Sequence, residues 1–71
     1  MDQRFIERII QQTVNEAVQE RSSIHPVIPV KRAVALAMAR CHAPEAERAR
    51  ISQLVCELSI RQQFVLEFED L

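Results

Sequence analysis

The chain contains no glycine. Glycine is the residue that takes positive φ at no steric cost. Without it, tight primed hairpin turns, phosphate-cradling loops and nucleophile elbows lose their usual building block. What remains open is a set of helices joined by connectors built from other residues. A chain of 71 residues is read as a single helical domain over 1–71. The expected fold class is all-α, a small three-helix bundle.

Apolar spacing places the helices near 2–21, 29–41 and 44–70. In the first, Phe5, Ile6, Ile9, Ile10, Thr13, Val14 and Ala17 recur at helical spacing on one broad face, while Arg4, Glu7, Arg8, Gln11, Gln12, Asn15 and Gln19 lie largely opposite. Asp2 is placed to cap it. Ile24-His25-Pro26-Val27-Ile28-Pro29 follows. Each proline disfavours the α conformation just before it, so His25 and Ile28 are expected to be extended, and the stretch is apolar enough to lie against the core. Pro29 is suited to open the second helix. There Val30, Ala33, Val34, Ala37, Met38 and Cys41 follow the i, i+3, i+4, i+7, i+8, i+11 pattern, with Ala35, Leu36 and Ala39 on other faces. A helix apolar nearly all round is expected to be central. His42-Ala43-Pro44 breaks the chain again, and Glu45 and Glu47 suit the positive end of a third helix starting at Pro44.

In that third helix Ala46 or Ala49, Ile51, Leu54, Val55 and Leu58 form the expected inward stripe. Ile60, Phe64, Phe68 and Leu71 form a second one. At 100° per residue, Ile60 points roughly 180° away from Ile51, so the apolar face switches sides near Ser59. Either the helix bends or splits there, or one continuous helix carries apolar groups on two faces.

Composition narrows the function classes. Net charge is −1, so nothing global attracts nucleic acid or an acidic membrane. The longest apolar run, residues 33–39, is far short of the ~20 residues of a membrane span, and the start of the chain lacks a signal-peptide core. A cytoplasmic location with no membrane partner is expected. Two cysteines are too few for a secreted disulfide scaffold.

Neither a metal site nor a catalytic one is expected. His25, Cys41, His42 and Cys56 are the candidate ligands, but they contain no Cys-x-x-Cys and no His-x-x-x-His. In a hairpin turning near Ala43, Cys56 would lie ~18–20 Å along the third helix, away from Cys41, which excludes a shared zinc and a disulfide. Cys41 and His42 are adjacent, so on a helix they would point about 100° apart and not face each other. Glu45 with Glu47, and Glu67 with Glu69 and Asp70, read as solvated surface. No cofactor, catalytic residue or small-molecule substrate is expected.

Two readings of function remain. In the first, a non-enzymatic accessory or regulatory protein docks onto a larger protein, or homodimerises, through Ile60, Phe64, Val65, Phe68 and Leu71. Glu67, Glu69 and Asp70 frame that stripe, which suits a partner surface that is apolar and rimmed with Lys or Arg. The same residues are also able to complete the core. In the second, a small helix-turn-helix regulator binds DNA through Lys31, Arg32, Arg40, Arg48 and Arg50. Against it stand Glu45 and Glu47 at the front of the would-be recognition helix. A contiguous Lys/Arg face favours DNA; an exposed Phe64/Phe68 patch favours a protein partner.

Overall fold

The structure, a computed structural model, describes residues 3–18 and 26–68. Asp2, His25, Glu69, Asp70 and Leu71 lie outside these residues, as does the end of the first helix expected over residues 19–21. The element order is α1 (Gln3–Ala17), β1 (Val27–Pro29), α2 (Val30–Cys41), a 3₁₀ turn (Glu45–Glu47), α3 (Arg48–Arg61) and β2 (Val65–Glu67).

Three helices pack against one another, as the periodicity predicts. The buried face of α1 is Ile6, Ile10, Thr13, Val14 and Ala17. Thr13 is the polar member of this stripe, and its hydroxyl donates to the Ile9 carbonyl at 2.7 Å, so its burial leaves no unsatisfied group. The buried face of α2 is Val30, Ala33, Val34, Ala37, Met38 and Cys41, every member of the expected series. Its small side chains let neighbouring backbones come close. The expectation that α2 is central is corrected: Ala35, Leu36 and Ala39 are exposed, so its opposite face meets solvent. In α3 the buried residues are Ile51, Val55 and Ser59, with Leu54 and Leu58 half-buried against the core. Ala46 and Ala49 are exposed and do not belong to the inward stripe.

The all-α expectation is also corrected. The molecule is mostly helical but carries a two-stranded parallel sheet, with Val27 opposite Val65, Ile28 opposite Leu66 and Pro29 opposite Glu67. Parallel strands need a long crossover, and here α2 and α3 together supply it. Pro26 and Pro29 hold the chain extended on either side of Val27 and Ile28, with Ile28 fully buried. Pro29 therefore ends the strand and flanks α2 from outside, with φ −75° and ψ 101°, and the helix starts at Val30. Pro44 likewise sits just outside the 3₁₀ turn, and α3 begins only at Arg48.

The largest correction concerns the third helix. It stops at Arg61 and does not run to residue 70. The chain needs neither glycine nor proline to do this. Gln63 takes φ 65°, the Phe64 amide donates to the Ser59 carbonyl at 2.8 Å, and the Gln63 amide donates to Ile60 at 2.9 Å. This pair of bonds is a Schellman cap, which satisfies the orphan carbonyls of the last turn. The same device ends α2. His42 sits at φ 51°, Ala43 donates to Met38 at 3.1 Å and His42 to Ala39 at 3.2 Å. The driving force at the α3 end is burial. A continued helix would carry Phe64 to the side away from the core, whereas the reversal brings Phe64 and Leu66 back against it.

Candidate interaction surface

The end of α3 divides the expected stripe. Ile60 stays on the last turn of the helix and is 61 % exposed. Phe64 lies in the reversal and packs partly buried against the core. Val65 opens β2 and is 46 % exposed; Phe68 follows the strand and is 64 % exposed. Leu71 lies outside the described residues. The five residues therefore do not form a single helical face. Phe64 serves the core, and Ile60, Val65 and Phe68 face solvent.

Those three account for most of the large apolar side chains that the described residues leave in water, the others being Phe5 and Leu36 on α1 and α2. Isolated exposed apolar residues are normal; these three lie close in sequence, Ile60 on the last turn of α3, Val65 in β2 and Phe68 just after it. The sequence reading missed Leu66, which packs against the core from β2, and Ser59, which is fully buried. The Ser59 hydroxyl donates to the Val55 carbonyl at 2.7 Å, so the serine is accommodated without a stranded polar group. Phe64-Val65-Leu66 is three apolar residues in a row, so no clean period-2 alternation marks this segment as a strand in the sequence.

The five cations of the DNA reading are not brought together. Lys31 and Arg32 occupy the first turn of α2, whereas Arg40 is in its last turn and Arg48 and Arg50 lie beyond the following connector. At ~1.5 Å per residue the length of α2 separates the two groups. Three of the five are also engaged within the chain. Arg40 donates to both carboxylate oxygens of Glu16, at 2.7 and 3.0 Å, and to the Thr13 hydroxyl at 3.2 Å. Arg48 pairs with Glu45 at 2.6 Å, and Arg50 sits 3.7 Å from Glu47. Glu16 and Glu45 are held below the usual carboxylate range, first by these hydrogen bonds and then by the nearby positive charge.

Cys41 is buried and Cys56 half-buried; both are unpaired, and burial raises both thiols above their ordinary value. Among the described residues no three His, Cys, Asp or Glu side chains gather as a metal would require. Two open clefts exist. One of about 340 Å³ lies between α1 and α3, lined by Leu54 and Leu58 together with charged residues such as Arg8, Glu57 and Arg61. The other, about 230 Å³, lies beside Cys41, Pro44 and Ile51 at the α2–α3 connector. No buried side-chain polar atom among the described residues lacks a hydrogen-bond partner, so neither cleft holds an orphaned group aimed at a ligand. No described helix is long and apolar enough to cross a membrane. Comparison with protein-family models, curated proteins and solved structures finds no match to the chain.

Proposed function

We propose that this chain is a non-enzymatic accessory or regulatory protein that works by binding another protein chain through its C-terminal segment. The observation that carries the reading is the exposure of Ile60 at the end of α3 and of Val65 and Phe68 in and just after β2. Covering an exposed phenylalanine and isoleucine recovers a hydrophobic term that folding of the single chain leaves unused, roughly 1.5–3 kcal/mol for each fully buried side chain. The division and internal pairing of the cations support this reading over a nucleic-acid one.

The experiment compares two variants. Ile60→Ser combined with Phe68→Ser alters only exposed side chains, so its circular dichroism spectrum and melting temperature should match the wild type. Chemical crosslinking in the native host, followed by identification of the crosslinked chain, should give one product with the wild type and none with the double variant. If the folded double variant keeps the same product, the segment is not the binding surface and the proposal fails. Phe64→Ser serves as the contrast, since it should lower stability first and binding only as a consequence.

A further inference from the structure

The two edges of the sheet differ in a way that suggests what covers the exposed one. In a parallel ladder, alternate residues direct both their N–H and C=O groups to the same side. The Val65 amide donates to the Pro26 carbonyl at 2.9 Å, so Val65 and Glu67 point toward β1, and Pro26 and Ile28 point toward β2. The outward residues of β1 are then Val27 and Pro29. Pro29 has no N–H to offer an added strand, so this edge is blunted. The outward groups of β2 are the Phe64 carbonyl, the N–H and C=O of Leu66, and the Phe68 N–H. No proline or lysine guards them, and among the described residues β2 has no strand partner besides β1.

We infer that the occupant of this edge is β2 of a second copy of the chain, added antiparallel about a two-fold axis at Leu66. This rests on the docking reading and makes it specific. The set of outward groups complements itself. Leu66 and its symmetry mate exchange two N–H···O=C bonds, and each Phe68 amide donates to the Phe64 carbonyl of the other copy. The Phe64 amide is not needed, which fits its use in the α3 cap. Side chains agree with this register. Phe64, Leu66 and Phe68 alternate with Val65 and Glu67, so Leu66 faces its own mate and the exposed Phe68 falls opposite the half-buried Phe64 of the other copy, an aromatic cross-strand pair. Glu67 falls opposite Val65, so the two carboxylates are not directly opposed. The resulting order β1-β2-β2-β1 ends at both sides on the proline-bearing strand. Growth therefore stops at a dimer and does not continue as a fibre.

A short strand pair with few covering side chains is a small interface, so association in the micromolar range is expected. The test is sedimentation of the full chain from about 1 μM to 1 mM, a range that brackets weak protein–protein association, with amide hydrogen exchange measured at both ends. The dimer should form with rising concentration, and exchange at Leu66 and Phe68 should slow with it. Phe68→Lys should weaken the dimer by about tenfold or more, the scale of one lost aromatic pair with its burial, and leave the circular dichroism unchanged. A chain that stays monomeric over the whole range overturns the inference. So does a dimer whose Leu66 amide exchanges no more slowly than in the monomer, or one that Phe68→Lys does not weaken. The Leu66 exchange measurement uses the wild type and stands even if a variant misfolds. A monomer that still loses an identified, different protein on Ile60→Ser with Phe68→Ser overturns the second copy as occupant while leaving the docking reading intact.

Discussion

The two strands of this sheet have equal length and the same direction, yet they are put to opposite uses. In β1, Ile28 and Pro29 are buried, and the strand lies against α1 and α2. In β2, Val65 is exposed while Leu66 and Glu67 are only half-buried, and Phe68 follows in solvent. Prolines stiffen and blunt β1, whereas β2 is held by a helix cap built without glycine. A strand that is buried on its face and protected on its edge belongs to stability. One that is bonded on a single edge and half-covered on its face is open to a second chain.

Truncating one apolar side chain in each strand segment should separate the two roles most widely. Ile28→Ala empties a fully buried position and should cost about 2–5 kcal/mol, much of what a core of this size supplies. Phe64→Ala should cost less, about 1–3 kcal/mol, because Phe64 is only half-buried and its removal leaves an open notch, not a closed cavity. Urea denaturation of both variants checks the order. Equal losses, or a larger loss at Phe64, would mean that the C-terminal segment is as much core as β1 is.

That contrast also bounds what the sequence revealed. The buried series of α2 was legible residue by residue, and that of α1 except at Phe5, which is exposed, and Ile9, which is half-buried at the margin of the face, because a helix with one apolar face leaves a 3.6-residue period. The switch of face near Ser59 was legible as well. What it meant was not. Neither glycine nor proline marks a stop there, yet Gln63 adopts positive φ, and the carbonyls of Ser59 and Ile60 are satisfied by the backbone of the reversal. Parallel pairing was hidden for a second reason. Residues 27–29 and 65–67 are far apart in sequence, and each is too short for its own pattern to outweigh the helical one beside it. Of the candidate site, whose residues the sequence leaves open between interface and core, Phe64 packs partly buried against the core while Ile60, Val65 and Phe68 are exposed, a division that a helical spacing does not anticipate in an extended segment.

The entry into β2 offers a smaller and oppositely signed test. A residue other than glycine in the left-handed region pays a steric penalty, and asparagine, aspartate and histidine tolerate that region better than glutamine. Gln63→Gly should therefore stabilise the chain by about 0.5–1 kcal/mol, and His42→Gly at the end of α2 by less. Thermal melts of the two variants check this. A loss of stability at Gln63→Gly would show that the flexibility glycine adds to the unfolded chain outweighs the relief, and that the cap is not the strained joint it is taken for here.

The smallest effect concerns how α1 and α2 are held to each other. Near the end of α1, Arg40 of α2 grips the Glu16 carboxylate with two hydrogen bonds and also reaches the buried Thr13 hydroxyl. Arg40 lowers the Glu16 pKa from its ordinary value of 4.5, chiefly by hydrogen bonding to the charged form. A carboxylate whose folded pKa is depressed binds protons more weakly in the native state than in the unfolded one. Its contribution is fully present above the unfolded value and is lost as pH falls through the folded one. Both side chains are solvent-exposed, so water screens the pair and the effect is slight. Glu16→Gln should accordingly melt a little below the wild type at pH 6–7, and the gap should close as pH falls below the ordinary carboxylate value, where Glu16 is protonated in the unfolded chain and then in the folded one. Paired melting curves from pH 7 to pH 3 measure it. A gap that persists unchanged at pH 3 would mean that Glu16 acts through packing or through a neutral hydrogen bond. The ion pair would then not be what fastens α1 to α2.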